Sequence, residues 1–365
     1  MAIKKELSAT LMVANLFATV LVIGIHYRSH QWLEAANQSL WNGFAQEFVV
    51  NGLARCAVPF FAMLSGFFLW DNLQQRSSYM PMLRRKAKTL LLPYLVVSLG
   101  ICIFSLASKA ALNPGAFHPE ISSFFYDVVL RPRSVQFWFL RDLVFLTLLS
   151  PVLIAGHRYF SYALALALSG LWLLDIQPLP LLGEWYWINV ETLFFFCAGG
   201  VLARHTGLLS ALAETAMAVK TVTLLLWCAL IALRIHLDPT LDVWYVRNYS
   251  LLSILLYKAA ILVGILALVQ WSSVFSGNRA LIYISGLTFF AYLFHLVPFY
   301  YAVRFCADRV LDAPYDFYLS FPIAVVAIFF LAHLVSKFCP AAYAFLTGGR
   351  NPGKALNRTY SVQPG

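Results

Sequence analysis

The sequence predicts an all-α, polytopic integral membrane protein with about ten transmembrane helices around a polar cavity. Of its 365 residues, 61% are hydrophobic and only 12% are charged. Soluble domains carry about 45–50% apolar and about 25% charged residues. Ten apolar segments approach the roughly 20 residues that a helix needs to cross a bilayer. Ionisable residues recur inside these segments, and at membrane depth such residues usually face a protein interior or a wet cavity.

The ten predicted spans form one transmembrane domain over residues 1–345. Two of them, the fifth and the sixth, are short, so eight or nine spans remain an alternative. Residues 346–365 contain Gly348-Gly349 and Pro352-Gly353 and are predicted to form a flexible cytoplasmic tail. The predicted spans are about 7–27, 48–70, 89–108, 135–155, 161–176, 188–203, 221–237, 250–270, 281–303 and 318–338.

The charge distribution indicates membrane topology and not a nucleic-acid partner. The net charge is +10, but the basic residues lie inside apolar spans and in short loops, not on one water-exposed face. With the N-terminus inside, fifteen loop Lys and Arg residues fall on the cytoplasmic side and seven on the other. Both termini are therefore predicted to be cytoplasmic. The six cysteines are far apart and lack a CxxC motif, which predicts packing roles and no metal site.

Eight ionisable residues lie within the predicted spans, and the topology puts all of them in the outer half of the bilayer. This predicts one net-positive cavity shared by seven helices, which would suit an anionic ligand. Alternatives remain for some members: two could snorkel to the interface, two could form a helix-end pair, and His26 could be purely structural. The eight are His26, Arg55, Arg141, Asp142, Glu191, Arg234, Lys258 and His295.

The second span carries the most informative motif, from Arg55 to Phe68, which reads RCAVPFFAMLSGFF. Pro59 removes a backbone hydrogen bond and is expected to kink the helix one turn after Arg55. Ser65-Gly66 permits close approach of another helix. The segment resembles the signature R-x-x-V-P-x-F-F-x-x-S-G-F of the membrane acyltransferase-3 family.

Four further segments agree with that family in order. They read LRRKAKTLLLPY at 83–94, FWFL through Ser150-Pro151 at 137–151, FCAGG at 196–200 and LTFFAYLFH at 287–295. The resemblance covers about residues 10–335 and looks closest to the branch that O-acetylates bacterial surface glycans, such as the enterobacterial common antigen enzyme. One departure concerns the first span, where the family has Arg, ten residues and then His. Here His26 fits the histidine, but Asn15 stands in place of the arginine.

The resemblance implies an enzyme of the bacterial inner membrane that moves an acetyl group from acetyl-CoA to a hydroxyl of a surface polysaccharide or lipid-linked glycan. Its partners would be the acyl-CoA donor, the glycan acceptor and membrane lipid. A neutral imidazole accepts a proton near pH 7, so His26 is the candidate general base. Arg55 and His295 are further catalytic candidates, the acid that orients His26 is Glu191 or Asp142, and the donor-binding candidates are Arg84, Arg85, Arg141 and Asn15, with Lys86 and Lys88 in the same basic loop.

Two other functions remain open at this point. A transporter or channel for an anionic solute would need the same buried charges, and a structural partner in a glycan-export complex would fit the loss of charge at Asn15. The acyltransferase interpretation also has a geometric requirement, because CoA is cytoplasmic while the charged residues lie toward the outside. Either the pantetheine arm threads inward from the cytoplasm to His26, or the orientation is reversed.

Overall fold

The structure is a computed structural model. It describes residues 5–28, 40–75, 79–112, 126–153, 158–178, 181–182, 185–186, 188–239, 249–297, 299–312 and 315–353. Helices account for most of these residues, and one short antiparallel pairing joins β1 (Leu181–Leu182) to β2 (Trp185–Tyr186). The all-α class is thereby confirmed.

The helices follow one another along the whole described chain. In order they are α1 (Lys5–His26), α2 (Leu40–Glu47), α3 (Ala57–Gln75), α4 (Tyr79–Lys86), α5 (Leu92–Leu112), α6 (Trp138–Leu153), α7 (Arg158–Leu173), α8 (Val190–Leu202), α9 (Thr206–Ala213), α10 (Met217–Leu237), α11 (Leu251–Val274), α12 (Arg279–Ser285), α13 (Thr288–Phe294), α14 (Phe299–Ala307), α15 (Phe317–Phe338) and α16 (Pro340–Leu346).

Within the described ranges, eight helical segments are long and apolar enough to cross a membrane. The bent pair α13 and α14 would make a ninth if it forms one span. Helix α7 has 16 residues, about 24 Å of helix, which is shorter than the roughly 30 Å hydrocarbon core. The count of ten therefore stays a prediction. The eight segments are Lys5–His26, Trp41–Trp70, Tyr79–Leu112, Val135–Leu153, Val190–Ala213, Met217–Leu237, Leu251–Val274 and Phe317–Phe338.

The predicted ninth span, 281–303, is wrong as one continuous helix. The chain is helical in three pieces there, α12, α13 and α14, and the axes of α13 and α14 meet at 76°. Pro298, which lies outside the described residues, explains the second break, because proline lacks an amide hydrogen and disfavours helix in the residue before it. His295 is the C-cap of α13 and so lies at this break.

Burial separates inner helices from lipid-facing ones. Within the most apolar stretch of α1, 61% of the residues are buried, whereas within that of α10 only 28% are buried. Val222 and Leu225 on α10 are each 63% exposed. Large apolar side chains left exposed along a helix of this length are expected to face lipid. The inner helices α1, α3 and α11 thus position the site, and α10 and α15 cover them.

The closest helix approach joins α3 to α8. A Cβ atom added at Gly66 would lie 1.9 Å from the Phe196 carbonyl oxygen, and one added at Gly199 would lie 1.9 Å from that of Met63. Any side chain at either position would therefore force the two backbones apart. The close approach predicted for Ser65-Gly66 is confirmed, and it holds α3 in a fixed position.

The second span is irregular before Pro59. A π-helical turn, Phe48–Gly52, and a 3₁₀ turn, Leu53–Cys56, lead into α3. Pro59 has no amide hydrogen for the Arg55 carbonyl, so the regular hydrogen-bond ladder cannot continue through this segment. The irregular turns are typical of functional segments in helices, and Arg55 lies on the 3₁₀ turn.

Candidate active site

Two histidines, one from α1 and one from the break after α13, form the centre of the site. The rings of His26 and His295 have centroids 5.1 Å apart. His295 is fully buried, and its Nδ1 lies 2.9 Å from the Tyr292 carbonyl oxygen and 3.2 Å from that of Ala291. Carbonyl oxygens only accept hydrogen bonds, so Nδ1 carries a hydrogen. His295 Nε2 is buried and has no hydrogen-bond partner in the described part of the chain.

The neighbour of His26 ties the first span to this break. The Tyr27 hydroxyl donates to the His295 carbonyl oxygen over 2.8 Å. Arg304 on α14 donates to the Tyr27 carbonyl oxygen over 3.2 Å and forms an ion pair with Asp316. Both sides of the histidine pair are therefore anchored by backbone contacts, which limits how far the two rings can separate.

A chain of polar contacts supports Arg55. The Arg55 Nε donates to Asn51 Oδ1 over 2.9 Å, and the Asn51 amide donates to Glu47 Oε2 over 2.9 Å. Glu47 also accepts from Arg234 at 2.7 Å and from Arg28 at 2.6 Å. Arg55 lies close enough to interact electrostatically with the His26 ring. Glu47 was not among the predicted site residues because the predicted span begins at residue 48, although the spacing 47, 51, 55 follows one helix face.

The two candidate acids have other partners in the structure. Glu191 accepts from the Trp172 indole over 2.8 Å and lies 3.9 Å from Lys258, which also pairs with Asp175. Asp142 accepts from its neighbour Arg141 and from the Asn189 backbone amide, over 2.9 and 3.1 Å. Among the described residues, neither carboxylate forms a hydrogen bond or an ion pair with His26. Their role as the acid that orients His26 stays a prediction.

A cavity of about 760 Å³ runs beside α1 and α13. On α1 its lining residues extend from Ser8 to Thr19, about 16 Å of helix, and His26 lies two turns beyond. Asn15 is among them and donates to the Thr288 hydroxyl over 2.7 Å. None of the eight ionisable residues that were expected to share one cavity lines this one. His26, Arg55 and His295 lie together, and the other five form pairs: Arg141 with Asp142, Lys258 with Glu191, and Arg234 with Glu47.

One end of the cavity is basic, and the other approaches the histidines. Arg85, Lys86 and Arg350 line the basic end, and no Asp or Glu is present among the described lining residues. At the other end Tyr292 lines the cavity, and its ring centroid is 6.1 Å from that of His295. Tyr292 thus links the cavity lining to the histidine pair.

The basic loop contributes only part of what the sequence predicted. Arg85 and Lys86 line the cavity, whereas Arg84 and Lys88 are exposed and lie outside its lining. Arg141 is buried beside Asp142 and donates to the Leu130 carbonyl oxygen over 2.9 Å. The roles of all these residues in donor binding stay predictions.

The start of the predicted flexible tail is packed on the cavity, which the sequence analysis missed. Gly348, with φ of +67°, turns the chain back against Thr89. Arg350 then donates from Nη1 to the Thr89 carbonyl oxygen over 2.8 Å and lies 3.6 Å above the Phe289 ring. Gly348 and Gly349 serve a tight turn here, since glycine adopts positive φ without strain, and the flexible cytoplasmic tail stays a prediction. Residues 354–365 lie outside the described residues.

Comparison with known proteins agrees with the resemblance drawn from the motifs. The acyltransferase-3 family, described as "Acyltransferase domain", matches residues 13–337. The succinoglycan biosynthesis protein ExoH of Rhizobium meliloti (strain 1021) is 25% identical over 356 residues, covering 94% of this chain and 93% of that protein. No solved structure matches. The matched region includes most of α1, the irregular second span and the helix break at His295, and the chain therefore belongs to the acyltransferase-3 family.

Proposed function

We propose that this protein is a membrane O-acetyltransferase that moves an acetyl group from acetyl-CoA to a hydroxyl of a surface polysaccharide or lipid-linked glycan. Membership in the acyltransferase-3 family supports acyl transfer, and the name of the relative, a succinoglycan biosynthesis protein, supports a glycan acceptor. The observation that carries the proposal is the cavity itself. It joins three cations at one end to the neighbourhood of the histidine pair at the other.

The chemistry requires one proton to move from oxygen to sulfur. In this scheme His26 takes the proton of the sugar hydroxyl while the hydroxyl oxygen bonds to the thioester carbonyl carbon. The carbon–sulfur bond then breaks, and the CoA thiolate takes the proton back from His26. Arg55 is positioned by Asn51 and Glu47 to stabilise the developing oxyanion, since preorganised cations lower the free energy of such a transition state.

His295 has a separate role in this proposal, which is to orient His26. Its Nδ1–H is held by two backbone carbonyls, so its buried Nε2 offers a lone pair. A buried acceptor without a partner is rare and asks for an explanation. An N–H of His26 can donate to it, which would leave the other His26 nitrogen as the base. Under this proposal His295, and not Glu191 or Asp142, orients the base.

The donor enters at the basic end under this proposal. The phosphates of acetyl-CoA are anionic and favour Arg85 and Lys86, while the apolar walls formed by Phe61, Leu64 and Phe139 suit the pantetheine arm. The basic end lies beside the first turns of α1, which the loop charges assign to the cytoplasm. Cytoplasmic acetyl-CoA would thus reach the histidines from inside, in an inner-membrane protein with both termini cytoplasmic.

The proposal is tested with purified protein and acetyl-CoA, by measuring release of the CoA thiol with and without a membrane glycan fraction. We expect His26→Ala to lose at least about a hundredfold in turnover, since general-base catalysis contributes roughly 10²–10⁴-fold, while CoA binding is kept. Arg158→Gln, an exposed residue at the start of α7, is the matched control. Turnover that does not depend on His26 would contradict the assignment. Solute uptake by proteoliposomes without thiol release would favour the transporter.

Topology is tested separately with reporter fusions after residues 78 and 310. We expect the first reporter in the cytoplasm and the second outside. A reporter after residue 78 that is found outside would reverse the orientation and would move the basic end away from the cytoplasmic donor.

A further inference from the structure

The cavity has a basic residue from outside the part of the chain that the family match covers. The match ends at residue 337, whereas Arg350 lies beyond α16 and lines the cavity with Arg85 and Lys86. Family membership therefore gives no reason for Arg350 to be there, and its role has to be inferred from its contacts.

The placement of Arg350 is specific. Its Nη1 donates to the carbonyl oxygens of Thr89 and Thr347, and its guanidinium lies 3.6 Å above the Phe289 ring. The turn at Gly348 packs on Thr89, and Gly286 on the cavity wall packs on Pro352. The C-terminal segment is thus fixed to the segment that carries Arg85 and Lys86, and to the helices that line the cavity.

The electrostatics at this point favour an anion. Lys86 is repelled by both Arg350 and Arg85. Neither Lys86 nor Arg350 has a carboxylate partner among the described residues, and Arg350 uses Nη1 for its hydrogen bonds to Thr89 and Thr347. Its Nε and Nη2 groups therefore remain as donors for a ligand. Burial lowers the pKa of Arg350 to about 10, so the guanidinium stays protonated at neutral pH.

We propose that Arg350 binds a phosphate group of the acyl donor, and that residues 340–353 form a C-terminal clamp on the nucleotide end of the cavity. The proposal rests on the proposed function, because it takes acetyl-CoA as the donor. A planar guanidinium with two donors on one edge suits a phosphate, which it binds more specifically than an ammonium group does. The hydrogen bonds that Arg350 donates to the carbonyl oxygens of Thr89 and Thr347 fix its orientation before the donor arrives, which reduces the entropic cost of binding.

The test compares two probes that differ in phosphate. Binding of CoA and of pantetheine, which lacks every phosphate, is measured by calorimetry on the purified full-length chain and on Arg350→Gln. We expect the Kd for CoA to rise by roughly ten- to a hundredfold, the usual effect of losing a charge-assisted hydrogen bond. The Kd for pantetheine should change less than about twofold. Arg158→Gln, which removes the same charge from an exposed position, should leave both values unchanged.

Two further variants separate binding from folding. Arg350→Lys keeps the positive charge but loses the planar pair of N–H donors. We expect its Kd for CoA to lie between those of wild type and Arg350→Gln. His26→Ala should bind CoA as wild type does while losing turnover. Equal weakening of CoA and pantetheine binding in Arg350→Gln, or an unchanged CoA Kd, would overturn the proposal for Arg350 alone. A wild-type protein that neither binds nor cleaves acetyl-CoA would reject the proposed function and this inference together.

Discussion

The two charged regions of this protein differ in whether their cations have carboxylate partners. Around Glu47, buried cations are paired: Arg28 and Arg234 lie 2.6 and 2.7 Å from its carboxylate. At the basic end of the cavity, Lys86 and Arg350 have no carboxylate partner within the described residues. Charges that serve the fold need a partner inside the protein, since an uncompensated buried ion is costly. Cations that lack such a partner at a cavity point to an anion from outside.

Breaking the paired region should have the largest effect. Glu47→Gln leaves two arginines without their carboxylate and removes the support of Asn51, so we expect a loss of about 3–5 kcal/mol in the free energy of unfolding. Denaturation of the detergent-purified protein measures it. In the double variant with Arg234→Gln, the loss should be smaller than the sum of the two single losses. Additive losses would show that the pair contributes no coupling.

A substitution at the basic end of the cavity should leave the stability of the protein intact and weaken donor binding. Lys86→Gln removes the repulsion with Arg85 and Arg350, so we expect the free energy of unfolding to stay the same or to rise by up to about 1 kcal/mol. The same variant should raise the KM for acetyl-CoA about tenfold. A Lys86 variant that is clearly destabilised would assign this residue to the fold and remove the contrast between the regions.

Ionic strength should separate the two regions without any substitution. Arg85, Lys86 and Arg350 are partly exposed, so salt screens their attraction for an anion over about 10 Å at 0.1 M, whereas buried pairs are screened much less. Raising salt from about 0.05 to 0.5 M should raise the KM for acetyl-CoA several-fold, while the unfolding midpoint changes little. A KM that is independent of salt would exclude a charge-based donor site.

Asn15 should give the smallest effect. Asn15→Ala loses a single 2.7 Å hydrogen bond to Thr288 in the cavity wall, worth about 1 kcal/mol. We expect about a fivefold change in KM, equal for acetyl-CoA and for acetyl-pantetheine, because Asn15 lies away from the basic end. A loss restricted to the donor with phosphates would place the nucleotide further along α1 than proposed.

Part of the site could be predicted from local sequence. The close packing of α3 on α8 depends on the missing side chain of Gly66. The irregular turns around Arg55 depend on a proline four residues later. Both causes are visible in the sequence. The break at His295 follows from Pro298 in the same way, although the sequence analysis took 281–303 as one helix. In that case the apolar length of the segment was given more weight than the proline.

The ion pairs and hydrogen bonds between helices could not be predicted, because they join residues far apart in the chain. Glu47 meets Arg234 across 187 positions, and Asn15 meets Thr288 across 273. Eight ionisable residues were predicted to share one cavity from their depth in the bilayer alone. Depth does not say which side chains meet, and in the structure these residues form separate groups, none of which lines this cavity.

Composition alone predicts the surrounding solvent and the fold class: a chain with 61% hydrophobic and 12% charged residues must cover much of its surface with lipid, and a helix satisfies its backbone hydrogen bonds within one segment. Local motifs also identify the family. Three-dimensional packing is needed to establish which cations are paired, which face the cavity, and that Arg350 lies at its basic end. These outcomes depend on helix rotation and on distant contacts, and neither is encoded in hydrophobic length.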